Sequence, residues 1–270
     1  MKHLSYIAIV AVTVAIFFVS ATELVQITGQ NRSIQIEYVN ITDPEIILKE
    51  DFDCSRVKPI VYTRVPNLSS LPLSKRKEAF IRILLPSILI AQENIINLRN
   101  KVIKLKEKLD KKYQLTDQEY IFLSNLFNKY KTQKLDELLR RLNTHPVSII
   151  LAQAALESGW GTSRFFVEAN NVFGIWTFKK GSGVKAVSSE ARLARFSSIL
   201  EAVQEYLFNI NVGWAYEGFR IKRIDSEKPL VLINYLEKYS ILRKEYVNRL
   251  NNLIRSNHLE KYDSCSLDPS

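Results

Sequence analysis

The stretch Leu151–Trp176, LAQAALESGWGTSRFFVEANNVFGIW, limits more than any other what this chain can fold into. It begins inside a run from Val147 to Leu156 that is apolar on nearly every side of a helix, and such a helix is stable only when other elements surround it. Pro146 opens the run at a position where its missing N–H is no loss, and Gly159 ends it. Glu157 therefore falls in the last turn. Carbonyls at a helix C-terminus carry partial negative charge and apolar surroundings disfavour a bare carboxylate, so both push this group toward its protonated form. Cleavage of a glycosidic bond needs such an acid, because the leaving oxygen must receive a proton. The bland alternative is a glutamate in a surface ion pair, but helix C-termini prefer cations.

After the glycine break, Gly161-Thr162-Ser163 reads as a helix restart, and Asn170-Asn171 with Phe173-Gly174 as a turn with left-handed backbone positions. Pyranose rings present apolar C–H faces to aromatic rings. Trp160, Asn171, Phe173, Trp176 and Tyr206 are accordingly the candidate substrate contacts, with Phe178 a further aromatic; an aromatic side chain is more often core than ligand contact. His145, next to Pro146, reads as a cap or surface residue rather than a base.

The flanking chain sets the frame. Met1–Ala21 carries Lys2, an apolar run of about 13 residues and small residues before a cleavage point, a signal segment too short for a stable membrane span. An uncleaved anchor is the alternative. Residues 22–73, interrupted by Pro44, Pro59, Pro66 and Pro72, read as an extended N-terminal arm. Over residues 74–142 the pattern turns helical: Ile88, Ile95, Val102 and Leu109 recur every seven residues, with Ala91, Leu98 and Leu105 between them, a long amphipathic helix entered near Pro86. Eleven Lys/Arg against four Asp/Glu between Lys75 and Lys112 leave it strongly basic, which means a solvated face or contact with an anionic wall or membrane surface. Thr116 and Glu119 form a capping box before a helix with Tyr120, Leu123, Phe127 and Tyr130 on one face.

Residues 143–262 form the main domain and 263–270 a frayed tail. Alternation between Thr177 and Phe196, around Gly181-Ser182-Gly183, predicts a small β-hairpin that holds Glu190 and is the only sheet of that domain. Ser198 and Glu201 form a second capping box, so Glu201 is structural, and Asn211–Phe219 reads as a loop carrying Trp214 and Tyr216. Two cysteines, Cys54 and Cys265, permit one disulfide between the two ends in an oxidising compartment. No metal or cofactor motif is present, and no base-reading motif that would suit nucleic acid.

Ala152–Ser163 (AQAALESGWGTS) followed by Asn170–Gly174 (NNVFG) resembles the signature of bacterial peptidoglycan N-acetylglucosaminidases of the Bax-type branch, and the likeness takes in Ala215–Arg220 and Tyr239–Leu253. It implies a mainly α (α+β) fold: a lysozyme-like helical domain with a small β-hairpin lobe. It implies hydrolysis of the β-1,4 bond after N-acetylglucosamine in peptidoglycan, in the periplasm or outside the cell. Glu157 matches the family's general acid and Tyr216 a tyrosine it places across the cleft. A second carboxylate in the β-lobe would be Glu190, or else Glu168. Two mechanisms stay open, one using that carboxylate to activate water and one using the substrate's own acetamido oxygen, aided by Tyr216. A lytic transglycosylase and a non-catalytic glycan-binding module are the rival readings.

Overall fold

A computed structural model of the chain describes residues 34–177, 183–185 and 192–269. The expected signal segment lies outside these residues, as do Phe178 and Glu190. From Gln35 onward the chain forms one compact unit.

Strands β1 (Glu37–Asn40) and β2 (Ile60–Arg64) pair in parallel, Glu37 opposite Ile60, with the short helix α1 (Ile46–Lys49) on the crossover. Residues 35–73 are thus no loose arm. Val61, Val65 and Leu68 are buried in the main core. The prolines misled because they delimit elements here instead of preventing them: Pro59 precedes β2, its carbonyl accepting from the Glu37 N–H at 3.1 Å, and Pro66 follows it.

Helix α2 spans Leu73–Asp110, begins after Pro72, and carries Pro86 in its interior and not at its entry. At that point the Arg82 carbonyl loses its ordinary N–H partner. The heptad seam is buried at Ile88, Ala91, Ile95, Val102 and Leu105 and runs out at Leu109, which is 38% exposed. The capping box at Thr116 is formed in both directions and opens α3 (Asp117–Lys129). The buried face of α3 is Phe122, Leu123 and Leu126, continued by Tyr130, whereas Tyr120 points to solvent; the apolar stripe is rotated from the expected one. Helix α4 (Leu135–Arg141) leads into α5 (Val147–Ser158), which is wrapped by its neighbours as its all-round apolar sequence demands. Helix α2 packs against both α5 and α7 (Ile199–Val212).

Helix α6 (Arg164–Ala169) precedes a three-stranded antiparallel sheet of β3 (Trp176–Thr177), β4 (Val184–Lys185) and β5 (Arg192–Leu193), with β5 central. It is the expected lobe, and the β1–β2 sheet lies outside residues 143–262. Ser198 caps α7, and Glu201 holds the Ser197 N–H and hydroxyl, a structural part as expected. The segment around Tyr216 is largely helical: a 3-10 turn Trp214–Tyr216 runs directly into α8 (Glu217–Asp225). Helix α9 (Pro229–Leu232), a 3-10 stretch to Tyr239, and α10 (Lys244–Ser256) follow.

The C-terminal tail is pinned and not frayed. Cys54 and Cys265 form a disulfide, the Val57 N–H donates to the Ser266 carbonyl at 2.9 Å, and Arg56 pairs with Asp268 at 3.2 Å. At its start, Asp263 accepts from both the N–H and the hydroxyl of Ser148, at 2.7 and 2.9 Å. That carboxylate sits at the N-terminus of α5, where the helix dipole favours negative charge.

Candidate active site

At the other end of α5 three consecutive residues, Gly159, Trp160 and Gly161, take left-handed backbone conformations. Ser158 locks this exit: its hydroxyl donates to the Ala154 carbonyl at 2.7 Å and accepts from the Gly161 N–H at 3.2 Å. Ser163 then caps α6. The reversal leaves Glu157 exposed at the end of the helix. Desolvation by the protein packed around its carboxyl raises its proton affinity above the usual glutamate range, and the nearby Tyr246 hydroxyl opposes part of that rise. Against the surface ion-pair reading, the neighbours that act on Glu157 are tyrosines and not a cation.

The turn after α6 forms one wall. Asn170 ends the helix in a left-handed conformation. The Asn171 side chain accepts from the Ile175 N–H at 2.9 Å and donates to the Ile175 and Ala194 carbonyls at 2.8 and 2.9 Å, tying the turn to the β-lobe. Gly174, at φ +66°, passes so close to the acid that a methyl group built on it would lie 3.6 Å from Glu157 Oε2.

Tyrosines form the opposite wall. Tyr239 stacks on Tyr246 with ring centroids 5.4 Å apart, and Tyr216 lies 6.1 Å from Tyr239. The Tyr239 hydroxyl donates to the Phe173 carbonyl at 3.1 Å and so joins the two walls. Tyr216 is pushed up to about 12 by its burial, with the Glu157 charge adding to the effect, so it stays a neutral phenol. A carboxyl of raised proton affinity near neutral phenols has the chemistry that proton donation requires.

The other sequence candidates separate. Phe173 and Tyr206 stack on each other at 4.2 Å and are buried, and Asn171 is buried by its turn, so these three build the scaffold and offer no surface to a ligand. Trp160 packs edge-on against Phe80 and lines a cleft of about 560 Å³ with Phe52, Lys77 and Tyr262, whose walls do not include Glu157. Trp176, 52% exposed on β3, keeps an open face. Glu168 is exposed on α6. His145 is buried and not a surface cap: Nε2 lies 3.1 Å from the Tyr206 hydroxyl, and burial with Arg223 nearby pushes it down to about 3, hence neutral. The sequence reading missed Tyr239, Tyr246 and Gln153 as site residues. One signal was available: Gln153 is a lone amide in an apolar run, four residues before Glu157 and so on its face.

Residues 132–259 match the glucosaminidase family model, described as mannosyl-glycoprotein endo-beta-N-acetylglucosaminidase. Protein bax of Escherichia coli (strain K12) is 32% identical over 210 residues, which cover 72% of this chain and 74% of that protein. The chain belongs to the glucosaminidase family, in its Bax-type branch. As a family member it is a glycosidase, and its helical fold with small sheets is the expected class. The exo-glucosaminidase LytG of Bacillus subtilis (strain 168) is 24% identical over 178 residues, 58% of each protein. The catalytic domain of the autolysin Auto from Listeria monocytogenes is 23% identical, covering 59% of this chain and 97% of that one with a TM-score of 0.37.

Proposed function

We propose that this glycosidase hydrolyses the β-1,4 bond after N-acetylglucosamine in peptidoglycan, with Glu157 as the general acid. The observation that carries this is the carboxyl at the glycine-broken end of α5, beside Gly174 and held toward its protonated form near neutral tyrosines. Glu157 gives its proton to the glycosidic oxygen as the bond to the anomeric carbon breaks. The acetamido oxygen of the same sugar supplies the electron pair to that carbon, and water later opens the ring so formed, returning a proton to Glu157. Tyr216, a neutral phenol able to donate, is the group assigned to orient the acetamide. Direct attack by water activated by Glu190 would instead invert the anomeric centre. The anomer first released, read by proton NMR, separates the two.

Glu157→Gln on purified peptidoglycan is the decisive variant: we expect a loss of roughly 100-fold or more in rate, the scale of general acid catalysis. Wild-type activity in this variant ends the assignment. Mass spectrometry of the digest tests the bond, since reducing N-acetylglucosamine ends support it and anhydro-muramic ends make the protein a lytic transglycosylase. Release of long fragments supports an endo action, and single sugars an exo action. Retention on the wall with no fragments from the wild type makes it a binding module.

We place the enzyme outside the cytoplasm, in the periplasm or secreted, on the Met1–Ala21 segment and on the disulfide, which persists in oxidising compartments. The basic α2 is assigned an electrostatic contact with anionic wall or membrane.

A further inference from the structure

The cleft beside Trp160 is walled by three aromatic rings, each with a cation over it: Lys77 over Trp160 at 5.3 Å, Arg82 over Phe52 at 5.4 Å and Lys261 over Tyr262 at 5.0 Å. Its volume of about 560 Å³ is that of a small-ligand site. The disulfide and the chain leading into it help to close the cleft, since Cys54 lies in its wall and Lys261 and Tyr262 stand just before Cys265.

Two of these three cations are uncommitted. The Arg82 guanidinium donates to the Glu78 carboxylate at 2.6 Å and to the Ile47 and Glu50 carbonyls, so its charge is satisfied within the fold. Glu78 is the one acid in the wall among the described residues. Lys77 Nζ donates to the neutral Asn257 Oδ1 at 2.6 Å, which fixes the ammonium and leaves two of its three N–H groups. Neither Lys77 nor Lys261 pairs with a carboxylate among the described residues. A ring face holds an ammonium without neutralising it, so the cleft keeps both positive charges. Ser74 lines the same cleft from the first turn of α2, a turn with no side-chain cap and no acid, where the helix dipole is positive. Rings that already carry a cation on one face suit an anion better than a stacked pyranose.

We propose that this cleft binds a carboxylate of the peptide that peptidoglycan carries on its glycan strand. This rests on the reading of peptidoglycan as the substrate. N-acetylated sugar rings are uncharged, so the carboxylates of that polymer lie on its peptides. One strand can meet both sites, because Trp160 follows Glu157 by three residues and their Cα atoms lie within about 11 Å. A peptide carboxylate held by Lys77 and Lys261, with apolar side chains against Trp160 and Tyr262, anchors the strand while its glycan runs on to Glu157.

The test titrates the full chain, disulfide intact, with the sugar-free peptide released from purified peptidoglycan, and follows binding by calorimetry. We expect saturable binding that amidation of the peptide's carboxylates abolishes. Lys77→Met and Lys261→Met should each weaken it roughly tenfold or more, the scale of a charge-assisted hydrogen bond, and Lys77→Arg should weaken it less. Lys104→Glu with Lys111→Glu, at the far end of α2, should cost no more than about twofold, which separates the cleft from the general basic charge. Lys261 is exposed, so Lys261→Met carries the test if Lys77→Met does not fold. Unchanged binding in the folded lysine variants, or of the amidated peptide, overturns the site. A poly(glycerol phosphate) that binds there while the peptide does not also overturns it. The titration involves no sugar and no turnover, so the two readings fail separately. A protein that binds the peptide but cuts no peptidoglycan loses the catalytic assignment alone; one that cuts peptidoglycan but binds no peptide loses the cleft alone.

Discussion

Glu157 has a proton affinity raised in the folded state, chiefly by desolvation, and this carries a consequence for stability. A group whose folded pKa lies above its unfolded one contributes stability in full below the unfolded value and loses it as pH rises through the folded value. Above that range the protein keeps a carboxylate where desolvation disfavours charge. Calorimetry of Glu157→Gln should therefore show a gain in Tm over the parent that is larger at mildly alkaline pH than in acid. An equal gain at all pH values would contradict the raised affinity. Gly174 is the second residue to probe. Gly174→Ala puts a methyl beside Oε2 and strains a φ of +66°, at about 1–2 kcal/mol. Expect kcat/KM to fall further than that loss of stability accounts for, since the methyl occupies the wall that faces the acid. These residues were legible in the sequence because glycine breaks, left-handed asparagines and a last-turn carboxylate are local features. The burial of Asn171, Phe173, Tyr206 and His145 was not, since it depends on partners that lie tens of residues away.

Among the elements, α2 shows where periodicity succeeds and where it stops. Its heptad seam gave the helix and its inner face, yet Pro86 looked like an entry because the surrounding core that tolerates it is not visible in a window of sequence. Charge along it was legible only as a sum. Lys106 pairs with Asp110 and Asp136, and Lys108 with Glu119 of the capping box, while Lys104 and Lys111 are exposed. Lys104→Glu with Lys111→Glu is therefore the clean test of surface contact. Retention on anionic wall should drop and respond less to salt, with Tm unchanged, whereas Lys108→Glu should lower Tm as well. Unchanged retention in the double variant removes the electrostatic role of α2.

At the scale of the whole molecule, the N-terminal strands and the C-terminal tail form one patch, joined by a disulfide spanning a sequence separation of 211. The tail also supplies Asp263 to the start of the helix that carries Glu157 at its end. Replacing both cysteines by serine should lower stability by about 5 kcal/mol on the chain-entropy account, seen as a fall in the denaturation midpoint. The even cysteine count allowed this link, but nothing local could show that the two ends meet.

Covalently, then, the segment from Cys54 to Cys265 is a closed circle, with the acid on its circumference. Any single cut along it, for instance at the exposed Tyr113 between α2 and α3, opens the circle without dividing it. Under the proposed placement outside the cytoplasm, one proteolytic event yields a nicked molecule and not two fragments, and the halves separate only after reduction.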